Sequence, residues 1–289
     1  MKKIILLLSF LTLGTLDLFA KDYLFIFSGD KSVNAIDRAD IDSIKFTSNQ
    51  TVLSIYKDNE VIASYPLSKI DSLTFGSIDV NEVMIIYSES GIVITNPFAN
   101  KGINISVNGD DVTVNSKLSN ISVDYILSGT TSSGSLKLYS IYKYQLTLNG
   151  VNMTNNDGPA INLQSSKMCT LVLSEGTTNI LADGATYASS SEDQKATLFS
   201  EGQIIFIGDG TLNISSISKH AIASDDYISL KGGNINVSSA GKDAIHVNDY
   251  FTMSDGILQL TPSGDGIDSE GYIDISGGSI TFTSSVANV

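Results

Sequence analysis

Three stretches near the end of the chain decide the fold, because they repeat one another without gaps: KHAIASDDYI at residues 219–228, KDAIHVNDYF at residues 242–251 and GDGIDSEGYI at residues 264–273. Their tyrosines recur after 23 and then 22 residues, and the isoleucine at the fourth position repeats the same two spacings. Self-similarity at a fixed period is the sequence signature of a solenoid, in which each repeat stacks on the next.

Apolar columns continue this repeat outside the three stretches. They are Leu230, Met253 and Ile275; Ile235, Leu258 and Ile280; and Val237, Leu260 and Phe282, with Leu198 preceding Ile222 by 24 residues. Aliphatic columns at this period are typical of a parallel β-helix, whose coils lie about 4.8 Å apart. The alternation in Ile273-Asp274-Ile275 places apolar side chains inside and polar ones outside. The sequence therefore predicts an all-β chain built on a parallel β-helix.

One segment breaks the period. Residues from about Thr178 to Gln194, which include the polar run ASSSED at 188–193, do not fit the coil spacing. We expect this segment to loop out of the helix.

The first twenty residues predict a signal peptide. Lys2 and Lys3 precede an apolar run from Ile4 to Leu13, and Ala20 offers a cleavage point. The run is too short to span a bilayer. We expect an exported protein, secreted or held in the cell envelope, whose mature form does not insert into a membrane.

Residues 21–78 form a separate, duplicated segment. Tyr23–Phe27 leads to Ile41–Phe46, and Val52–Tyr56 leads to Ile70–Phe75. Each half predicts two short strands joined by a polar link. We therefore divide the chain into a signal peptide at 1–20, a small β-rich segment at 21–78 and a β-helix at 79–289.

The charge balance limits the partners. A formal net charge of -14 repels nucleic acids and anionic membrane surfaces and attracts divalent cations. The single cysteine, Cys169, lies in an apolar run, which predicts a buried thiol.

Six stretches resemble a known family, the secreted bacterial carbohydrate-binding β-helix proteins that are similar to polysaccharide lyases. In chain order they are residues 123–129, 148–151, 158–162, 198–202, 219–227 and 264–271. The resemblance implies a right-handed β-helix, calcium held by acidic residues and binding of cellulose-like or pectin-like polysaccharides such as polygalacturonate. It implies no assigned catalytic residue. Family members usually continue past the coil at residues 271–278, so we expect a fragment, a shortened homologue or a chain completed by a partner.

Acidic side chains cluster at the coil corners and are the candidate calcium ligands. They are Asp225 and Asp226 in one coil, Asp243 and Asp249 in the next, and Asp265, Asp268 and Glu270 in the third. Calcium takes six to eight oxygen ligands, which stacked carboxylates can supply, and without a cation these carboxylates would repel one another. Aspartate is also a common turn residue without any metal, so both interpretations stay open.

The two histidines, His220 and His246, each lie near an aspartate. Their positions within the repeat differ by three columns, which argues against a shared zinc site. We expect solvated or corner-capping histidines.

Candidate carbohydrate contacts are the column Tyr227, Tyr250 and Tyr272, together with Lys242. Aromatic rings can pack on sugar faces, although a corner stack that stiffens the helix explains the same column. The chain has no tryptophan, which weakens the case for a flat cellulose-binding platform.

The sequence is compatible with three functions. The first is a calcium-stabilised, non-catalytic carbohydrate-binding protein. The second is a calcium-dependent polysaccharide lyase with Lys242, beside Asp243, as the base, since the only arginine is Arg38 in the N-terminal segment. The third is a structural, adhesin-like surface solenoid.

Overall fold

A computed structural model describes residues 20–28, 33–47, 51–79, 81–88, 91–99 and 101–283. Apart from Ala20, the predicted signal peptide lies outside the described residues. Within these ranges, no helix has the length and apolar character needed to cross a membrane.

The N-terminal segment contains six strands and two single-turn 3-10 helices. The strands are β1 Ala20–Ser28, β2 Val33–Asp37, β3 Ser43–Thr47, β4 Val52–Lys57, β5 Glu60–Pro66 and β6 Ile70–Asp79, and the 3-10 helices are Arg38–Asp40 and Leu67–Lys69. Each half of the duplication thus has three strands instead of the predicted two. The difference arises because the polar link itself adopts extended backbone and pairs with the strand before it.

The two halves exchange their third strands. The last strand of the first half, β3, pairs with β4, and the last strand of the second half, β6, pairs with β1. Equivalent pairs result, because Leu24 lies opposite Phe75 and Leu53 lies opposite Phe46. The two three-stranded sheets share a small core around Leu24, Ile26 and Ile55.

The rest of the described chain is a parallel β-helix of about seven turns, which confirms the predicted fold class. Its strands are β7 Glu82–Ser88, β8 Gly91–Thr95, β9 Ile103–Asn108, β10 Asp110–Ser116, β11 Asp124–Thr131, β12 Gly134–Ser140, β13 Tyr144–Asn155, β14 Ile161–Leu163, β15 Cys169–Leu173, β16 Thr178–Asp183, β17 Ala196–Ser200, β18 Ile204–Gly208, β19 Thr211–Ser215, β20 His220–Ser224, β21 Ile228–Ala240, β22 Ile245–Val247, β23 Phe251–Pro262, β24 Ile267–Ser269, β25 Ile273–Ile275 and β26 Ser279–Phe282.

Two large sheets run along the helix. An eight-stranded sheet has the order β24-β22-β20-β17-β14-β12-β10-β9, and a twelve-stranded sheet holds the other two sides of each coil. Pairing between coils is parallel, whereas the pairs β7–β8 and β9–β10 at the first coil are antiparallel. The predicted columns are confirmed: Leu198 pairs with Ile222, which pairs with Ile245, which pairs with Ile267.

The predicted interruption starts later than expected. Thr178–Asp183 is the regular strand β16, paired in register with β13 and β19. Its alternating burial hides Leu181 and exposes Ile180, so an apolar residue on the solvent side obscured the pattern. The true insertion covers residues 184–195, between β16 and β17.

The interior of the helix is a continuous apolar core, which includes Cys169 as predicted. One buried polar side chain, Asn179, connects three coils at a corner. Its Oδ1 accepts hydrogen bonds from the amides of Gly150 at 2.8 Å and Val151 at 3.1 Å, and its Nδ2 donates to the carbonyl of Thr211 at 3.1 Å. These bonds satisfy backbone groups that would otherwise be buried without partners.

A corner of the twelve-stranded sheet requires glycine. Gly208 has φ of +94°, and a Cβ there would lie 2.2 Å from the carbonyl oxygen of Leu173 in the preceding coil. Gly233 and Gly256 repeat this positive φ in the next two coils. Left-handed backbone and close contact between coils together exclude larger residues.

We predict that Asn179→Leu destabilises the protein, because the backbone groups at Gly150, Val151 and Thr211 lose their partner. Each buried unsatisfied group costs about 1–3 kcal/mol. Urea unfolding measures the change. The control Asn152→Leu alters an exposed side chain of a neighbouring coil, and its stability should stay within about 0.5 kcal/mol of the parent. Equal midpoints for both variants would contradict the assigned role of Asn179.

Candidate functional site

The outward face of the eight-stranded sheet carries a continuous column of side chains. From one coil to the next they are Lys137, Asn162, Phe199, Ala223, His246 and Asp268. Phe199 is fully buried, although it belongs to a small cluster with Ala196 and Ala223 that is separate from the main core. An aromatic side chain on the outer face is therefore covered by another part of the chain, and the insertion at residues 184–195 is that cover.

The insertion is held onto the sheet by polar contacts. Glu192 accepts a hydrogen bond from the Nζ of Lys137 at 2.8 Å and a second, short one from the hydroxyl of Tyr139. The carbonyl of Asp193 accepts from Gln164 Nε2 at 3.2 Å. Burial raises the pKa of Glu192, but the bonds from Lys137 and Tyr139 outweigh it and hold that pKa below its usual value. The carboxylate form of Glu192 thus fastens the insertion.

A cleft of about 960 Å³ opens where the insertion ends. Its acidic, basic and histidine lining residues are Glu192, Asp193, Lys195, Lys219, His220, Lys242, Asp243, His246 and Asp268. Along the outer column the bulky Phe199 is followed by Ala223. The small side chain of Ala223 leaves space on the outward face of the sheet, and the cleft lies over the coils that follow.

The two histidines meet in this cleft, although their three-column offset had argued against a shared site. Their ring centroids lie 4.6 Å apart with an interplanar angle of 20°. The three-column offset does not separate them because Ala221 and Ile222 are consecutive and both belong to the core. Alternation is broken at this corner, so His220 and Ala223 both face outward, and His246 stacks on Ala223 in the next coil.

His220 is buried and held neutral. Its side chain is 10% exposed, and its Nδ1 lies 3.2 Å from Asp243 Oδ2. The two atoms lack hydrogen-bond geometry, so Nδ1 has no hydrogen-bond partner in the described part of the chain. Burial, with the neighbouring charge of His246, lowers the pKa of His220 to about 4. A neutral imidazole is the form that binds metals.

The seven acidic residues proposed as calcium ligands do not form one group. Three of them lie beside the histidines: Asp243 and Asp265 come just before the strands β22 and β24, and Asp268 is within β24. The other four follow the strands at the opposite corner: Asp225, Asp226, Asp249 and Glu270. Five residues of extended backbone, about 16 Å, separate Asp265 from Glu270, so one ion cannot contact both. Asp268, within β24, lies only two residues from Glu270.

At the second corner, Asp225 joins two acidic residues that the sequence pattern did not single out. One carboxylate oxygen each from Asp193, Glu201 and Asp225 lies within 4.8 Å of the others. Burial and repulsion from Asp225 and Asp193 raise the pKa of Glu201. The ammonium of Lys195 contacts Asp193 at 3.3 Å and makes a short contact with Asp225. Burial opposes the charge of Lys195, but these contacts raise its pKa.

The tyrosine column is a stack of parallel rings. Tyr227 and Tyr250 have centroids 4.6 Å apart, Tyr250 and Tyr272 have centroids 4.8 Å apart, and both interplanar angles are 7°. Each ring covers the face of the next, so the edges and hydroxyl groups face outward along the corner. Sugar stacking needs a free ring face, which limits this column to edge contacts except at Tyr272, where 56% of the residue is exposed.

Comparisons with known proteins agree on one relationship. A model of the family described as "Carbohydrate-binding domain-containing protein" matches residues 104–289. A protein of that description from Acetivibrio thermocellus is 29% identical over 113 residues, which are 37% of this chain and 40% of that protein. A solved structure, the gadolinium derivative of the polysaccharide lyase-like protein from C. thermocellum, is similar with a TM-score of 0.62 and 26% identity, over 70% of this chain and 82% of that one. The chain thus matches less than half the length of the Acetivibrio protein.

We predict that the insertion detaches on acidification. The pKa of Glu192 is lowered in the folded protein. Its stabilisation of the docked insertion is therefore complete above the usual carboxyl range and is lost as the pH falls through the lowered pKa. Limited proteolysis at residues 185–191 should therefore accelerate as the pH falls below the usual carboxyl range, relative to pH 7. Glu192→Gln should show the faster cleavage already at pH 7. The control Glu175→Gln changes an exposed carboxylate elsewhere and should retain the parent's protection at pH 7; equal cleavage of all three proteins there would contradict the prediction.

Proposed function

Because the chain belongs to the family of carbohydrate-binding domain-containing proteins, we propose that it binds a polysaccharide in the cleft between the insertion and the eight-stranded sheet. The observation that supports this location is the cleft itself, with about 960 Å³ of space and a polar lining. That volume is within the range of ligand-binding sites. The cleft is lined by residues of three successive coils, which suits a chain of repeating sugar units.

We propose an acidic glycan of the polygalacturonate class over a neutral, cellulose-like one, with Lys219 and Lys242 as its contacts. The cleft lining holds three lysines beside the carboxylates of Glu192, Asp193, Asp243 and Asp268. The third lysine, Lys195, is already paired with Asp193 and Asp225. Lys242 is exposed, and the ammonium of Lys219 lies 5.6 Å above the ring of Tyr187 in the insertion. Elsewhere the acidic surface repels a polyanion, so local positive groups determine where it can bind.

Calcium is the cation we expect at the second corner, where Asp193, Glu201 and Asp225 would hold it. Burial and then the neighbouring carboxylates of Asp225 and Asp193 raise the pKa of Glu201. A hard cation would relieve this crowded negative charge by taking the carboxylate oxygens as ligands. Lys195 already neutralises part of this charge and so competes with an ion. The ability of the solved relative to form a gadolinium derivative is in keeping with this, since trivalent gadolinium is also a hard, oxygen-seeking cation.

Export accords with this function. The pattern of Met1–Ala20 is that of a signal peptide, and polysaccharides of the pectin and cellulose type are extracellular polymers. We therefore propose that the protein acts in the medium or the cell envelope.

The alternative of a polysaccharide lyase rests on one pair of side chains. Lys242 and Asp243 both line the cleft, and a lysine beside a carboxylate can remove the proton next to a uronate carboxyl group. The solved relative is polysaccharide lyase-like in its description. A structural, adhesin-like solenoid is the remaining alternative, and it requires no glycan at all.

We predict that Lys219→Ser/Lys242→Ser weakens binding to polygalacturonate about tenfold, because two charge contacts of about 0.5–1 kcal/mol each are lost. Affinity electrophoresis in gels containing the polymer measures the change, and added salt should weaken the binding of the parent protein. The matched control is Lys231→Ser, which removes an exposed lysine from the twelve-stranded sheet and should leave retention unchanged.

Other outcomes of the same series assign the function differently. Equal retention of the double variant and the parent would move the binding site away from the cleft. Absorbance of unsaturated uronate that appears with the parent and is lost in Lys242→Ala would establish a lyase. Retention on neither polygalacturonate nor cellulose would leave the structural solenoid.

We predict that Lys195→Gln tightens calcium binding about tenfold, which corresponds to about 1.4 kcal/mol, because it removes the competing ammonium from the three carboxylates. Asp225→Asn should abolish the binding, and Asp249→Asn, an exposed carboxylate of the same corner, should not alter it. Isothermal titration into the full chain gives the affinities. Calcium binding that depends on Asp249 but not on Asp225 would place the ion elsewhere.

A further inference from the structure

The floor of the cleft holds a second ligand set, which differs in chemistry from the carboxylate corner. One ligand atom each from His220, Asp243 and His246 lies within 4.8 Å of the others. Two imidazoles with one carboxylate favour a transition metal, because imidazole suits zinc, copper, nickel and iron, whereas calcium takes oxygen ligands.

The buried nitrogen of His220 is an independent sign of a missing ligand. His220 is 8% exposed, and its Nδ1 has no hydrogen-bond partner within the described part of the chain. Buried polar atoms are nearly always satisfied, so an orphaned one calls for a ligand, water or ion. This nitrogen points at Asp243, whose Oδ2 is 3.2 Å away. A cation between them would satisfy both atoms.

The surroundings also orient the other two ligands. His246 Nδ1 lies 2.8 Å from Asp268 Oδ2, which leaves its Nε2 as the nitrogen available to an ion. A carboxylate that fixes the second nitrogen of a metal-binding histidine is a recurrent feature of metal sites. Asp243 is itself fixed, because its Oδ1 accepts a hydrogen bond from the amide of Asp265 at 2.7 Å.

From this arrangement we propose that His220, Asp243 and His246 bind one divalent transition-metal ion of the zinc class, with Asp268 as the positioning residue of His246. Tetrahedral zinc with bonds of about 2.0 Å holds its ligand atoms about 3.3 Å apart. The ligand atoms lie up to 4.8 Å apart and the two imidazole rings are stacked with an interplanar angle of 20°, so at least one ring has to rotate out of the stack for both nitrogens to point at one ion. Three protein ligands leave a fourth position open, on the side of the cleft.

The site is independent of the proposed calcium corner and of glycan binding. Asp193, Glu201 and Asp225 form their own group, which shares no residue with the histidine set. The first tests therefore use the metal ion alone, without a polysaccharide. Failure of zinc binding would leave the carbohydrate proposal untouched, and failure of glycan binding would leave the zinc site untouched.

The experiment is isothermal titration of zinc chloride into the full chain after the protein has been dialysed into a chelator-free buffer. We expect one equivalent of zinc to bind and calcium not to displace it. His246→Gln should weaken zinc binding at least a hundredfold, and Asp268→Asn should weaken it about tenfold to a hundredfold, as the loss of an outer-sphere partner does elsewhere. Cobalt(II) gives a second readout, a visible absorption band of the bound ion that His246→Gln should remove.

Two variants keep the outcome interpretable. His246 is more exposed than His220, with 19% of its side chain accessible, so His246→Gln tests the site with little risk to folding. Asp249→Asn, at the opposite corner of the same coil, is the control and should bind zinc like the parent. No heat of zinc binding, or equal affinity of the parent and His246→Gln, would overturn the proposal.

Discussion

The β-helix and its candidate site depend on parallel backbone hydrogen bonding between successive coils. This pairing fixes the coil spacing near 4.8 Å and brings residues that are 22–24 positions apart into direct contact. The apolar columns, the tyrosine stack and the bridging Asn179 are consequences of that spacing. Side chains of one column touch their neighbours in the column, and inward side chains of the two sheets pack against one another across each coil to form one continuous core.

The same spacing builds the cleft. The outer column changes from the bulky Phe199 to Ala223 and then to His246, so the sheet is covered at one coil and open at the next. The insertion closes one side of the open region because Glu192 reaches back to Lys137 and Tyr139, in a strand two coils earlier. Local changes in side-chain size and one loop are thus sufficient to turn a regular surface into a site.

The sequence predicts the fold better than the site. Residues such as Ile222 and Tyr250 recur at a fixed period, so their contacts follow from the repeat itself. The contact between His220 and His246 does not follow from the repeat. Ala221 and Ile222 are consecutive buried residues, and they break the in-out alternation from which the three-column offset was interpreted. The sequence pattern also did not predict the roles of Glu192, Lys195 and Glu201. They lie in or beside the one segment that departs from the period, and the repeat does not specify where such a segment folds back.

The insertion at residues 184–195 leaves the register of the helix intact, for Ile161 pairs with Leu198 and Leu198 with Ile222 across it. Scaffold and insertion can therefore change independently. A longer, shorter or different segment at this corner would alter the shape of the cleft while the neighbouring coils retain their packing. Solenoids of this type can diversify one corner at a time, in the manner of an antibody framework that carries interchangeable loops.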